Sequence, residues 1–348
     1  MQTSFVLSKC VKAWLLLGIA MVFLQILIGG ITRLTGSGLS ITKWDIVTGV
    51  IPPLNENLWN IQFDLYKQTP QYQKINDGMT LDKFKWIYFW EYLHRLWARS
   101  MGFVFIIPLT FFWIRNLLNK SLKRDLIIVF FLACLSGAFG WIMVASGLIN
   151  RPWVNAYKLS LHLGLALLTL SYLWWTYLKA VRQGETNMLP HGFRQFSLIF
   201  LLTVSVQILL GGMMSGMKAA LMYPTFPMMG AHIIDPIIFE SNSWHWVHFK
   251  DYDVYPFLSA LVQLLHRFLA MTILSLSIIG WIKWKLHLIK WIGLILIVQI
   301  LLGVLTLICS KGTIPVGLGV FHQGFGILLL LCSVKWYFVC LNLKMKEK

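Results

Sequence analysis

Long runs of apolar residues alternate along this chain with short polar segments. Eight of these runs are long enough to cross the hydrocarbon core of a membrane, which takes about 20 residues of helix. The predicted spans are residues 13–32, 87–114, 126–148, 159–178, 196–217, 257–282, 291–309 and 318–339. The pattern therefore predicts an all-α polytopic membrane protein with eight transmembrane helices.

The composition agrees with this pattern. Of the 348 residues, 57% are hydrophobic and only 12% are charged, whereas a soluble domain carries about 25% charged residues. A soluble enzyme, a disordered chain and a nucleic-acid-binding domain are therefore excluded. We interpret the formal net charge of +17 as a signal of membrane topology.

The orientation in the membrane follows from the basic residues. Half of the 30 Lys and Arg residues lie in short segments at the two termini and after the second, fourth and sixth spans. Basic residues concentrate on the cytoplasmic side, so both termini are expected there. The first span is too long for a signal peptide and has no small-residue cleavage site. Because no organelle transit extension precedes it, we expect a bacterial inner (plasma) membrane protein.

Three phrases recur in the same order in the two halves of the chain. They are 25–30 and 207–212, 91–95 and 263–267, and 162–168 and 322–328. Each half has an even number of spans, so the halves share one orientation and are related by an axis along the membrane normal. The repeat predicts two four-helix bundles, residues 1–183 and 184–348, with long outer loops over them at 33–85 and 218–256.

One histidine lies near the start of each even-numbered span. These residues are His94, His162, His266 and His322. Because all even spans run inward, the four side chains are expected at similar depth near the outer leaflet, two in each half. An ionisable residue inside a span is costly and usually functional, and imidazole is a common axial ligand of haem iron. The repeat thus predicts one histidine-lined haem site per half, although a single intramembrane histidine could simply be a hydrogen-bonded core residue.

Nearby residues refine this prediction. No CxxCH attachment motif is present, so the haem is expected to be bound non-covalently. Gly164 and Gly324 follow two of the histidines and are expected to let a macrocycle approach the helix. Arg95 and Arg267 directly follow the other two and are predicted to pair with haem propionates, the alternative being snorkelling to lipid headgroups.

A single acidic residue distinguishes the two predicted sites. Glu91 lies three residues before His94 and shares its helical face, whereas the equivalent residue of the second half is Gln263. This asymmetry predicts that only the first site carries out chemistry, with Glu91 as the catalytic residue. The alternative is that Glu91 pairs with Arg95 or orients His94.

Two further clusters are compatible with metal binding but have simpler explanations. His245 and His248 have H-x-x-H spacing in an outer loop, where solvated histidines are more common than metal sites. Methionines at 213, 214, 217, 222, 228 and 229 could bind Cu(I), but apolar filling of a pocket wall is the favoured interpretation. The five cysteines lie in or beside apolar segments and are interpreted as small buried hydrophobes.

These motifs resemble those of the haem A synthase family over nearly the whole chain. The residues that carry the resemblance are 29–40, 91–95, His162, 264–267 and 321–324. No outer loop contains the cysteine pair of some members, so the chain resembles the proteobacterial and mitochondrial type.

The resemblance implies a membrane oxidoreductase that converts haem O to haem A for cytochrome oxidase assembly. The implied reaction is two successive oxidations of the C8 methyl group, through an alcohol and a hydrated aldehyde that loses water. His94 and His162 would hold the substrate haem beside Glu91, and His266 and His322 would hold one haem b. Haem O synthase is an implied partner. The sequence identifies no electron acceptor and leaves open whether several copies assemble.

Two other functions compete with this interpretation. A dihaem electron-transfer cytochrome would also bind haem, but many such proteins place two histidines on one helix and stack haems across both leaflets. A transporter built from parallel repeats would need no cofactor. Each even helix here supplies one histidine at the same leaflet, which argues against the cytochrome.

Overall fold

The computed structural model describes residues 7–43, 51–148, 151–182, 188–285, 287–342 and 344–345. The α-helices of this part are α1 (Lys9–Leu34), α2 (Glu56–Lys67), α3 (Leu81–Ile114), α4 (Lys120–Gly147), α5 (Ala156–Val181), α6 (Phe193–Met217), α7 (Trp246–Lys250), α8 (Phe257–Trp284), α9 (His287–Ile308) and α10 (Val316–Asn342). Two short strands, β1 (Met188–Leu189) and β2 (Lys344–Met345), pair in parallel.

Eight of these helices are long and apolar enough to span a membrane: α1, α3, α4, α5, α6, α8, α9 and α10. The prediction of an all-α polytopic membrane protein with eight spans is therefore confirmed. Several helices extend beyond the predicted apolar segment, because polar capping residues in the flanking loops set their ends. For example, α3 begins at Leu81, where the side chain of Thr80 accepts a hydrogen bond from the Lys83 N–H at 3.4 Å.

A proline inside α3 is accommodated by a side chain from α1. Pro108 has no N–H to donate to the carbonyl of Val104 one turn earlier. The indole N–H of Trp14 donates to that carbonyl instead, at 2.8 Å. The bond satisfies a buried acceptor and ties the first two spans together.

Equivalent helices make equivalent contacts in the two halves. In the first half α1 contacts α3 and α5, and α4 contacts α5; in the second, α6 contacts α8 and α10, and α9 contacts α10. The halves meet where α5 packs on α6 and α1 packs on α10. The proposed division into residues 1–183 and 184–348 stays a prediction, since its boundary lies outside the described residues.

Two glycines have a different role from the one expected. A Cβ added to Gly164 would lie 3.0 Å from Leu209 Cδ2, and one added to Gly324 would lie 3.4 Å from Leu27 Cδ2. Gly164 therefore packs against α6 and Gly324 against α1, where the expectation was an open face for a macrocycle. The two contacts are equivalent under the sequence repeat. Both glycines let helices from opposite halves approach closely.

A half-buried arginine also joins the halves. Arg33, at the C-terminal end of α1, donates through Nη2 to the carbonyls of Ser215 at 2.6 Å and Gly216 at 3.0 Å. These carbonyls are at the C-terminal end of α6, where a helix lacks intrahelical partners and carries partial negative charge. Arg33 therefore caps α6 across the interface between the halves.

Each long outer loop is anchored to the helices below it. In the first loop, α2 and the following turn pack on the start of α3 through a buried aromatic cluster that includes Tyr66 and Phe84. Burial raises the pKa of Tyr66 to about 12. In the second loop, the Tyr252 hydroxyl accepts from the Ala156 N–H at 2.7 Å, and Asp253 forms an ion pair with Arg151 at 3.0 Å. The described parts of both loops are thus folded against the same end of the helix bundle.

Candidate functional site

The second half of the chain brings two intramembrane histidines close together. His266 on α8 and His322 on α10 have ring centres 6.3 Å apart, with the ring planes at 69°. Two imidazoles that hold one metal ion from opposite sides, each through a bond of about 2 Å, have ring centres roughly 6 Å apart. The spacing therefore fits a metal ion between the rings, and bis-imidazole ligation suits haem iron.

The first half has histidines at the matching positions of the repeat. His94 on α3 packs on Gly29, and His162 on α5 packs on Gly140. The structure thus places His266 and His322 close together, and the pairing of His94 with His162 stays a prediction from the repeat. No signal other than the repeat would have joined residues this far apart in the sequence.

Each histidine ring packs against a glycine on the preceding span. The distances from a Cβ built on the glycine to the histidine Cε1 are 3.3 Å for Gly29 and His94, 2.9 Å for Gly140 and His162, 3.3 Å for Gly211 and His266, and 2.8 Å for Gly303 and His322. A side chain at any of these positions would push on the ring. The glycines on the odd-numbered spans therefore let the histidine rings of the even-numbered spans pack directly against the helix backbone.

Two of the histidines are oriented by backbone carbonyls. His162 Nδ1 lies 3.0 Å from the carbonyl oxygen of Ser136, and His322 Nδ1 lies 3.1 Å from that of Gln299. A carbonyl can only accept a hydrogen bond, so Nδ1 carries the proton and Nε2 keeps its lone pair for a metal. In both cases the carbonyl is four residues before the supporting glycine, whose missing Cβ leaves the oxygen uncovered.

The other two histidines contact glutamine side chains. Gln25 Nε2 lies 2.8 Å from His94 Nδ1 and donates to the His94 carbonyl at 3.2 Å. Gln207 Nε2 donates to the His266 carbonyl at 3.0 Å. The Oε1 atoms of both glutamines and Nδ1 of His266 are buried without a hydrogen-bond partner. Unpaired buried polar atoms are costly and often mark a missing ligand or ion.

Glu91 is buried and fully engaged with its surroundings. Only 2% of it is exposed. Its Oε2 accepts from the Ser40 N–H at 2.7 Å, the Ser40 hydroxyl at 2.7 Å and the Ile41 N–H at 2.8 Å. Its Oε1 pairs with Arg95 at 2.6 Å. The carboxylate therefore holds the first outer loop against α3, and its catalytic role stays a prediction.

Arg95 and Arg267 bind loop carbonyls at equivalent positions. Arg95 donates to the carbonyl of Ile41 at 3.2 Å. The four carbonyls that accept from Arg267 belong to Tyr223, Thr225, Pro227 and Met228. Gln263, in the place of Glu91, donates to the Tyr223 carbonyl at 3.1 Å. Both halves thus clamp their outer loop with the same two positions, and pairing of the arginines with haem propionates stays a prediction.

The two weaker candidates have structural roles. His248 Nδ1 lies 2.8 Å from the Ser243 carbonyl oxygen, and its ring lies 4.2 Å from that of Tyr255. His245 caps the short helix α7. The methionines at 213, 214, 217, 222 and 229 belong to apolar clusters. Among the described residues, no group of three or more His, Cys, Asp or Glu side chains could hold a metal ion.

The supporting glycines were not predicted, although the sequence contains a signal for them. The phrase Gln-Ile-Leu-Leu-Gly occurs at 207–211 and again at 299–303, and 25–29 differs from it at one position. The prediction of two halves used 25–29 and 207–211; the third segment, 299–303, lies on α9. Its glycine is Gly303, which supports His322. The recurrence marks three of the four odd-numbered spans that face a histidine; the exception is α4, where Gly140 follows Ser-Gly-Ala-Phe.

The fold and the site together define a class of protein: a polytopic membrane protein with a histidine pair between helices of its second half and histidines at the matching positions of the first, a donor set suited to haem. Residues 12–334 match the COX15-CtaA family, described as cytochrome oxidase assembly protein. The chain belongs to this family, the haem A synthase family, and the resemblance found in the sequence is confirmed.

Curated relatives align along almost their whole length. A protein named heme A synthase from Nitrosospira multiformis is 37% identical, over 95% of this chain and 93% of the relative. The protein of that name from Nitrosomonas eutropha is 35% identical, over 96% and 93%. The one from Flavobacterium psychrophilum is 38% identical, over 93% and 96%. The chain is thus similar to proteins from several bacterial groups.

Proposed function

We propose that this chain is an oxidoreductase that converts haem O to haem A, oxidising the C8 methyl group to a formyl group by two successive hydroxylations. The observation that carries the proposal is the histidine pair of the second half, with histidines at the matching positions of the first half and glycine supports in equivalent places. Membership of the family and the name of the relatives support the same reaction.

The two pairs are proposed to have different tasks. His94 and His162 would hold haem O as substrate, and His266 and His322 would hold one non-covalent haem b. The distinction rests on Glu91, since the second half has the uncharged Gln263 in its place. Bound haem b would supply a one-electron redox centre.

The protein side chains supply orientation and charge. Backbone carbonyls keep the proton on Nδ1 of His162 and His322, which leaves Nε2 as the metal-binding atom. Glu91 provides a fixed negative charge one helical turn from His94. A carboxylate oxygen has two lone pairs, so Oε1 could accept a proton while it remains paired with Arg95.

The proposal includes a location. The chain would lie in the bacterial inner membrane with both termini in the cytoplasm and the histidine pairs near the outer leaflet. The distribution of basic residues supports this orientation. Haem O synthase, which makes the substrate, is the proposed partner, and the electron acceptor is still to be identified.

The test is to express the chain in cells that make haem O but lack their own haem A synthase. We expect a bound haem b spectrum in the purified protein and haem A among the extracted pigments. Haem b without any haem A would favour an electron-transfer cytochrome. Purified, folded protein without a haem spectrum would contradict the proposal and favour a transporter.

A further inference from the structure

Four glutamines near the histidine pairs have a buried amide oxygen without a hydrogen-bond partner. They are Gln25, Gln207, Gln263 and Gln299. All except Gln263 are the first residue of a Gln-Ile-Leu-Ile/Leu-Gly segment whose glycine supports a histidine. The glutamines differ, however, in the part of the residue that meets the histidine.

Gln299 contacts His322 through its backbone. Its carbonyl oxygen lies 3.1 Å from His322 Nδ1, so this imidazole already has an acceptor for its proton. Gln207 instead approaches His266 with its side chain, donating from Nε2 to the His266 carbonyl at 3.0 Å. His266 Nδ1 has no partner in the structure.

A neutral imidazole that binds a metal through Nε2 must carry its proton on Nδ1, and that proton needs an acceptor. An amide nitrogen cannot accept it, whereas an amide oxygen can. Nδ1 of His266, which must donate, and Oε1 of Gln207, which can accept, are both buried without a partner. Gln263 Oε1 is unpaired as well, but the Gln263 amide is held away by its bond to the Tyr223 carbonyl. Gln207 is the glutamine whose amide already bonds His266, through Nε2 and the His266 carbonyl.

We propose that Gln207 is a positioning residue for the haem ligand His266. Its Oε1 accepts the hydrogen bond from Nδ1–H of the metal-bound imidazole while its Nε2 remains on the His266 carbonyl. The inference is confined to Gln207, because the Gln25 amide presents its nitrogen to His94, 2.8 Å from Nδ1 and 3.4 Å from Nε2. The inference rests on the proposed function, because it requires haem b between His266 and His322.

One carboxamide thereby fixes both the ring and the backbone of the ligand residue. An acceptor on Nδ1–H also makes the imidazole a stronger electron donor, which favours the ferric state of the iron and lowers its reduction potential. In the second half, His322 is thus held by a rigid helix carbonyl and His266 by an adjustable side chain.

The test compares Gln207→Leu with Gln299→Leu in the full-length protein purified with haem b. Leucine fills a similar volume and removes the amide. For Gln207→Leu we expect a higher midpoint potential of haem b and about 10- to 100-fold weaker haem retention, the usual effect of losing a hydrogen bond to a metal ligand. Gln299→Leu is the matched control, because it removes the same buried amide but keeps the carbonyl that serves His322.

Gln207→Glu provides a second test if the leucine variant does not fold. In either protonation state a glutamate keeps an oxygen that can accept from Nδ1–H, so the potential should equal or fall below that of the wild type. An unchanged potential in Gln207→Leu, equal shifts in Gln207→Leu and Gln299→Leu, or a raised potential in Gln207→Glu would overturn the assignment of Gln207. Absence of haem b from the wild-type protein would instead overturn the proposed function.

Discussion

At the scale of single residues, Glu91 carries the main asymmetry between the halves. The sequence singled out Glu91 because the equivalent position in the second half is the uncharged Gln263. It could not predict that Ser40 and Ile41 bind the carboxylate, because loop folding decides which backbone N–H groups reach α3. The structure therefore adds a loop-holding role to the catalytic role proposed from the sequence.

We expect Glu91→Gln to fold and to keep haem b while losing conversion of haem O. Loss of a general base typically lowers a rate about 10²- to 10⁴-fold. The measurement is the ratio of haem O, the alcohol and haem A in extracted pigments, at matched haem b content.

Ser40→Ala separates the two roles of Glu91. It removes the hydroxyl that donates to Oε2 at 2.7 Å but keeps the carboxylate and its pairing with Arg95. If Glu91 is catalytic, Ser40→Ala should retain most of the haem A that Glu91→Gln loses. Equal losses in the two variants would show that Glu91 acts only by holding the loop.

At the scale of helices, the apolar pattern predicted all eight spans because length and hydropathy decide whether a helix crosses the membrane. It did not predict α2 or the early start of α3, since caps and aromatic packing in the loops set these features. The apolar pattern also could not predict which neighbouring helix or side chain each glycine contacts. Gly164 and Gly324 support helix packing, whereas Gly140 and Gly303 support the rings of His162 and His322.

The glycine supports can be tested by adding a single methyl group. In Gly303→Ala the new Cβ would lie 2.8 Å from His322 Cε1, so the ring must move or the helices must separate. Overpacking of this kind costs about 1–3 kcal/mol. We expect reduced haem b content and a lower thermal midpoint, measured by the Soret absorbance and by unfolding in detergent.

Gly293→Ala is the matched control on the same helix. Its added Cβ would meet only the Ser277 hydroxyl oxygen at 3.5 Å, which is an ordinary contact. It should keep the haem b content of the wild type. Full haem b content in Gly303→Ala would show that this glycine does not position His322.

At the scale of the whole molecule, the two halves repeat their helix contacts and their histidine supports but not their charges. The repeat was visible in the sequence because three phrases recur in order. The contacts that join the halves were not visible in the sequence, because Arg33 meets the end of α6 only in the folded chain. The central claim is that each half has its own haem site, with substrate in the first and haem b in the second.

The most direct measurement of this claim is the haem content and product pattern of His94→Ala and His322→Ala, purified side by side from cells that supply haem O. His94→Ala should keep its haem b spectrum and fail to produce haem A, because its lesion is confined to the substrate pair. His322→Ala should lose the haem b spectrum and also fail to produce haem A, because an axial ligand is missing. Loss of haem b from His94→Ala, or full retention of low-spin haem b in His322→Ala, would contradict the account.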